Sequence, residues 1–185
     1  MYIFLFPLLL GFVFNSASTF TTFYSRHFGE RAGRLICTIL RDVIGIPVWA
    51  VGYAMSAMAS SIDLFNTGLI SSLFAWLLII AGGVIICAGL WSLRWRAAAP
   101  SLQDTLVVNG LYAHIRHPLY TGMLLELCGL FLWIPTSPVL AACILGVIWA
   151  FAQARLEELD LTQRLPAYKA YMKRVPAFVP KLKLG

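Results

Sequence analysis

Two short stretches hold most of the polar chemistry in this chain. Residues 109–122 read Asn-Gly-Leu-Tyr-Ala-His-Ile-Arg-His-Pro-Leu-Tyr-Thr-Gly, with two of the three histidines, an arginine and two tyrosines in one run. Further on, Arg155, Glu157 and Glu158 stand together at the end of a long apolar stretch. A carboxylate pair can hold an ammonium group, and a guanidinium can hold a carboxylate through charge-assisted hydrogen bonds. Tyrosine rings can take a flat heterocycle or the face of a cation. If the two stretches meet, they suit a ligand that carries an amine, a carboxylate and a heterocycle.

Each residue also has a plainer reading. His114 and His117 are spaced like a metal-ligand pair, but no cysteine lies nearby and any carboxylate would have to come from the tail, so no metal is expected. Arg116 could anchor to phosphate headgroups, Glu157 and Glu158 could be a solvated helix face, and Tyr112 and Tyr120 could belong to an interfacial aromatic belt. Glu126 lies inside an apolar run, where a carboxylate is expensive and either pairs with a neighbouring helix or serves a function. Cys37, Cys87, Cys128 and Cys143 are scattered without a C-x-x-C pair and read as small packing residues.

The elements that must position these groups are hydrophobic helices. Of 185 residues, 60% are hydrophobic and 12% charged, and the mean hydropathy is +0.81. A soluble domain is nearer half apolar and a quarter charged, so the composition predicts an all-α integral membrane protein in a single domain, 1–185. Spans are expected at about 1–24, 43–62, 69–93, 119–134 and 138–154, the first a retained helix because it lacks a basic leader. Gly82, Gly83 and Gly89 offer a close-packing face on the third span. The apolar run 119–154 is too long for one crossing and is broken at Pro135 and Pro138, which predicts a helical hairpin. Beyond it, leucines alternate with charges from Arg155 onward, the pattern of a helix lying along a membrane surface.

Five spans put the loops after spans one and three on the same side as the tail. Those segments hold four, three and seven of the fourteen Lys and Arg residues, so that side is expected to be the cytosol and the N-terminus to face out. Orientation and anionic lipid headgroups account for the net charge of +6, and a nucleic-acid partner is not needed. The two ends of an antiparallel hairpin meet. Arg116, His117 and Tyr120 should therefore lie near Arg155, Glu157 and Glu158 at the cytosolic surface, between segments 97–122 and 153–180. S-adenosylmethionine carries the amine, carboxylate and heterocycle that such a pocket suits, and a sulfonium that aromatic faces can stabilise.

Gly110-Leu111-Tyr112 followed by Arg116-His117-Pro118-Leu119-Tyr120-Thr121-Gly122 resembles the R-H-P-x-Y-x-G signature of the isoprenylcysteine carboxyl methyltransferase and phospholipid methyltransferase group. Glu157-Glu158, Tyr168-x-x-Tyr171, Arg174-Val175-Pro176 and Phe178-Val179-Pro180 resemble the same group's C-terminal block. The resemblance covers roughly residues 100–180. It implies a small helical membrane methyltransferase that uses S-adenosylmethionine and takes a lipid-like or prenylcysteine-like acceptor from the bilayer. Gly110, Tyr112, Arg116, His117, Tyr120, Glu157 and Glu158 would hold the cofactor, Arg155 and Glu157 would act at the reacting centre, and Glu126 and Gln153 would lie on the acceptor side. Many members carry an arginine where Gln153 stands, so carboxyl methylation is one option among several acceptor atoms. Two other readings stay open: an NADPH-dependent reductase of a sterol or other unsaturated lipid, whose similar motif ends in Glu where Met123 stands, and a non-catalytic membrane protein.

Overall fold

A computed structural model describes residues 2–93 and 105–181. Every regular element in it is helical. The chain begins with α1 (Leu5–Ala17) and α2 (Thr21–Phe28), joined at a 62° bend, so the expected straight span over 1–24 is a bent pair. The bend falls in the run Ser16, Ala17, Ser18, Thr19, where the Ser18 hydroxyl donates to the Asn15 carbonyl at 2.6 Å. Such short polar side chains compete with the helical ladder for backbone partners.

Gly29, at φ 82°, separates α2 from the next helix. That helix is continuous through α3 (Glu30–Thr38), a π-helical segment (Ile39–Gly45) and α4 (Ile46–Met58). It therefore starts well before position 43, and Arg31, Arg34 and Arg41 lie on helix where a basic loop was expected. Glu30 stands in its first turn, where the helix dipole favours a negative charge, and pairs with Arg34 at 3.3 Å. Pro47 has no N–H to give, and the wider π turn just before it accommodates the missing bond.

α5 (Leu69–Leu93) matches its expected span. The stretch bearing Arg94 and Arg96, and the opening of segment 97–122 up to 104, lie outside the described residues, as do Lys183 and the C-terminal end. A 3₁₀ turn (Gly110–Ala113) leads to α6 (Pro118–Trp133), α7 (Ser137–Arg164) and α8 (Tyr168–Arg174). α6 and α7 form the hairpin broken at residues 134–136, but α6 packs most extensively on α5. The reason is steric. A methyl group added at Gly82 would fall 2.5 Å from the Gly122 carbonyl, one at Gly122 would fall 2.5 Å from the Gly82 carbonyl, and one at Gly129 would fall 2.7 Å from the Ala75 carbonyl. The two backbones touch at glycines, the packing expected from the small residues of the third span.

The helix Glu30–Met58, α5 and α7 are long and apolar enough to cross a membrane, and the bent α1–α2 pair makes a fourth if counted as one span. The protein is an all-α integral membrane protein. The hairpin's first arm, α6, is apolar but has only 16 residues, or about 24 Å. In contrast α7, with 28 residues, is about 42 Å long, and its charged last turns run on from the apolar part without a break. Phe4, just before α1, and Leu8 and Phe12 of α1 pack with Trp49, Tyr53, Ala142 and Trp149, joining α1, α4 and α7 in one core. Phe12 stacks on Trp149 at 4.6 Å.

Candidate functional site

The segment before α6 is fixed by its own backbone. Gly110 adopts φ 61°, a left-handed conformation that favours glycine, and a methyl group there would come within 2.6 Å of the Ser92 hydroxyl. The chain can thus turn tightly against the end of α5 and bury Tyr112. The Tyr112 carbonyl accepts from the Tyr171 hydroxyl at 2.6 Å, which fastens α8 to this loop. Pro118 then opens α6 at a position that needs no backbone donor.

The C-terminal strap runs beside this loop. The Arg116 and His117 amides donate to the Pro176 and Ala177 carbonyls at 2.9 and 3.0 Å, and the Thr121 hydroxyl donates to the Phe178 carbonyl at 2.9 Å. The Phe178 ring lies 5.6 Å from the His117 ring and 4.7 Å from Phe151. Burial pushes the Tyr171 hydroxyl up to about 12, with Arg116 pulling the other way, and raises Tyr112 and Tyr168 further still. All three therefore stay neutral and act as hydrogen-bonding groups, not bases.

The charged centre sits where α6 begins and α7 ends. Glu158 is buried, and its Oε1 accepts from the Arg116 guanidinium at 2.9 Å and from His117 Nε2 at 3.0 Å. Arg116 also donates to the Met172 carbonyl at 2.8 Å. An ionised carboxylate only accepts, so the proton of His117 rests on Nε2, and Nδ1 faces Glu157 Oε2 at 3.9 Å. Glu157 takes the Tyr120 hydroxyl on Oε1 through a short hydrogen bond, while its side chain keeps 35% of its surface accessible. Arg155, 79% exposed, reaches in from outside to Glu158 Oε2 at 3.4 Å.

The structure thus brings together Arg116, His117, Tyr120, Arg155, Glu157 and Glu158, with Gly110 and Tyr112 shaping the loop beneath them. Gln153 is 1% exposed and sits one turn before Glu157; its Nε2 donates to the Thr19 hydroxyl at 2.6 Å. Glu126 is set apart. It lies about 9 Å further along α6 than Tyr120, against Gly82 and Gly83 of α5. His114 is exposed while His117 is buried, so the two do not share a site.

Four contributors had no clear signal in the sequence. Thr19 comes from the α1–α2 bend. Arg41, on the π turn, is close enough to interact electrostatically with Glu157 and Tyr120. Asp160 accepts from the Thr22 amide at 2.9 Å and pairs with Arg164 at 2.9 Å, so α7 caps the start of α2. Trp149 donates to the Ser16 hydroxyl at 3.0 Å and meets the Tyr120 ring edge-on at 6.1 Å. Of these, only the Asp160–Arg164 spacing of four is visible in sequence, as a helical ion pair.

A family model described as phospholipid methyltransferase matches residues 70–168, more than half of the chain. The cobalt-zinc-cadmium resistance protein CzcN of Cupriavidus metallidurans is 36% identical over 83 residues, which cover 44% of this chain and 38% of that protein. The nickel-cobalt-cadmium resistance protein NccN of Alcaligenes xylosoxydans xylosoxydans is 33% identical over 98 residues, 51% of this chain and 44% of that protein. The matched region spans less than half the length of either relative. No solved structure matches.

Proposed function

This chain belongs to the phospholipid methyltransferase family, and from that premise we propose that it transfers a methyl group from S-adenosylmethionine to a lipid-like acceptor at the membrane surface. The observation that carries the reading is the buried pairing of Glu158 with Arg116 and His117, next to the half-open Glu157–Tyr120 pair. Two buried polar atoms in this region, Arg116 Nε and Gln153 Oε1, lack hydrogen-bond partners among the described residues, which leaves room for a bound molecule or water to satisfy them. The donor set fits the cofactor: Glu157 for its amino group, Arg116 or Arg155 for its carboxylate, and the Tyr120 and Phe178 rings for its flat and cationic parts.

When bound, the cofactor supplies an electrophilic methyl group on a positive sulfur. The protein's own work is to position and to exclude water. Arg116 and His117 hold Glu158 rigid, the strap 176–178 pins the loop that carries them, and Tyr120 fixes one oxygen of Glu157. Glu157 Oε2 is left to meet a bound group. A groove of about 270 Å³ between α6 and α7 is lined by Leu127, Phe131, Leu140, Ile144, Val147 and Ile148 among other apolar side chains, which supports an acceptor with a hydrocarbon part. On this reading the site faces the cytosol, because Arg31, Arg34, Arg41, Arg116, Arg155 and Arg164 gather toward its end of the helices.

The test is titration of the detergent-purified protein with S-adenosylhomocysteine and, separately, NADPH. Saturable binding of the former, lost in a Tyr120→Ala, Glu158→Ala double variant, is expected. Binding of NADPH instead would move the protein to the reductases, and binding of neither by a monodisperse sample would overturn the reading. Two relatives are named for resistance to cobalt, zinc, nickel and cadmium, so growth under those cations is the phenotype in which a deletion strain should first be compared.

A further inference from the structure

The seam between α5 and α6 holds a polar group that the rest of the bundle leaves unpaired. Ala75, Gly82 and Gly89, seven residues apart, are the buried residues of α5, and all three face α6. Glu126 stands against the middle of that seam, about 12 Å along α6 from its start. A methyl group added at Gly83 would meet only Glu126 Oε1, at 3.6 Å, so the carboxyl lies over the Gly83 flank of α5. Glu126 is partly buried and has no hydrogen-bond or ion-pair partner among the described residues. An ionisable side chain at this depth is costly unless it is paired.

The same flank of α5 is bare. Leu73, Trp76, Ile80, Gly83, Cys87 and Leu90 follow one another at alternating steps of three and four residues, the heptad row of a left-handed helix pair. Leu73, Trp76, Ile80 and Leu90 are 43–62% exposed, and Cys87 is exposed as well. Gly83, at the centre of the row, leaves a notch in which a second backbone can come close to the carboxyl.

We propose that this row is a dimer interface on which a second copy of the chain docks in the same orientation, with the two Glu126 side chains hydrogen-bonded to each other across the twofold axis. An axis along the membrane normal sets each residue at the same depth as its own image. A second copy therefore brings a polar group to the level of Glu126, where lipid tails offer none. A neutral carboxyl has both an O–H donor and an acceptor oxygen, so two of them satisfy each other. Glu126 and Cys128 are two residues, hence about 200°, apart around α6. The apolar groove that Cys128 helps to line is thus on the opposite flank of α6 and stays open in each copy. Dimerisation of this kind does not depend on the methyltransferase reading.

Cys87 supplies the test. With Cys37, Cys128 and Cys143 replaced by alanine, oxidation by copper–phenanthroline in membrane vesicles should join the native Cys87 of two copies into a dimer band on non-reducing gels. Val13→Cys, on the bare face of α1 in a chain that also lacks Cys87, should give no such band. Energy transfer between donor-labelled and acceptor-labelled copies, followed as vesicle lipid is added, then measures the association. Glu126→Leu should weaken it by about tenfold through the loss of two interhelical hydrogen bonds, and Glu126→Gln, which keeps a donor and an acceptor, should stay within about threefold of wild type. No Cys87 dimer above the Val13 control, no energy transfer at any lipid ratio, or Glu126→Leu associating as tightly as wild type would each overturn the proposal. The cross-linking and dilution arms need no change at Glu126, so they decide even if the leucine variant does not fold.

Discussion

Single side chains in the site differ sharply in what they hold. Glu158 accepts from the buried Arg116 guanidinium and from His117, so removing it strands Arg116 in a region with little water. Breaking a buried pair from one side costs about 3–5 kcal/mol. Glu158→Ala should therefore lower thermal stability in detergent markedly and abolish S-adenosylhomocysteine binding; a melt within a degree or two of wild type would contradict this. Tyr120→Phe is a finer probe. It keeps the ring against Trp149 and His117 but removes the hydroxyl that orients Glu157. The melt should move little, while turnover should fall by about 10²-fold, the scale of misplacing a catalytic group. Arg155 is mostly exposed, and Arg155→Ala should leave the fold intact.

At the scale of elements, the site depends on α6 staying close to α5 and on α2 staying capped by α7. Gly122→Val would drive a side chain into the Gly82 carbonyl, which belongs to backbone and cannot move aside. Overpacking of this kind costs about 1–3 kcal/mol or more, and since Tyr120 lies two residues away the variant should lose cofactor affinity along with stability. Unchanged binding and melting would mean that the contact is not maintained in the membrane. Asp160→Asn is milder. It keeps an oxygen for the Thr22 amide and gives up the charge that pairs with Arg164. A loss of about 1 kcal/mol is expected, the usual scale for a helix cap, with Asp160→Ala costing more.

For the whole molecule, the consequence of the layout is that, among the described residues, charges gather at one end of the helices and nothing comparable stands at the other. The loop between α4 and α5 has Asp63 as its one charge and is tied to the hairpin turn by the Leu64 amide donating to the Pro135 carbonyl at 2.7 Å. With the native cysteines replaced, Arg155→Cys should be labelled by a membrane-impermeant thiol reagent in inside-out vesicles and protected in right-side-out ones. Ser61→Cys, at the other end, should show the reverse. The opposite pattern would turn the site to the outside and remove the cytosolic assignment.

Residue type and hydropathy were enough to mark this as a helical membrane protein, and they singled out two polar segments as candidates for chemistry. Those are local properties, and apolar length together with Pro135, Pro138 and Gly110 sets them along the chain. What each polar group pairs with is another matter. That Glu158 is buried and Glu157 half open, that Gln153 turns inward onto Thr19, and that Arg41 approaches the site from a π turn all depend on how each helix is rotated about its axis. Rotation is set by packing between elements far apart in sequence: glycine contacts of α5 with α6, and α1 seated on α4 and α7. Adjacent glutamates look alike in the sequence, but a step of about 100° around the helix sends one to Arg116 and His117 and the other to Tyr120.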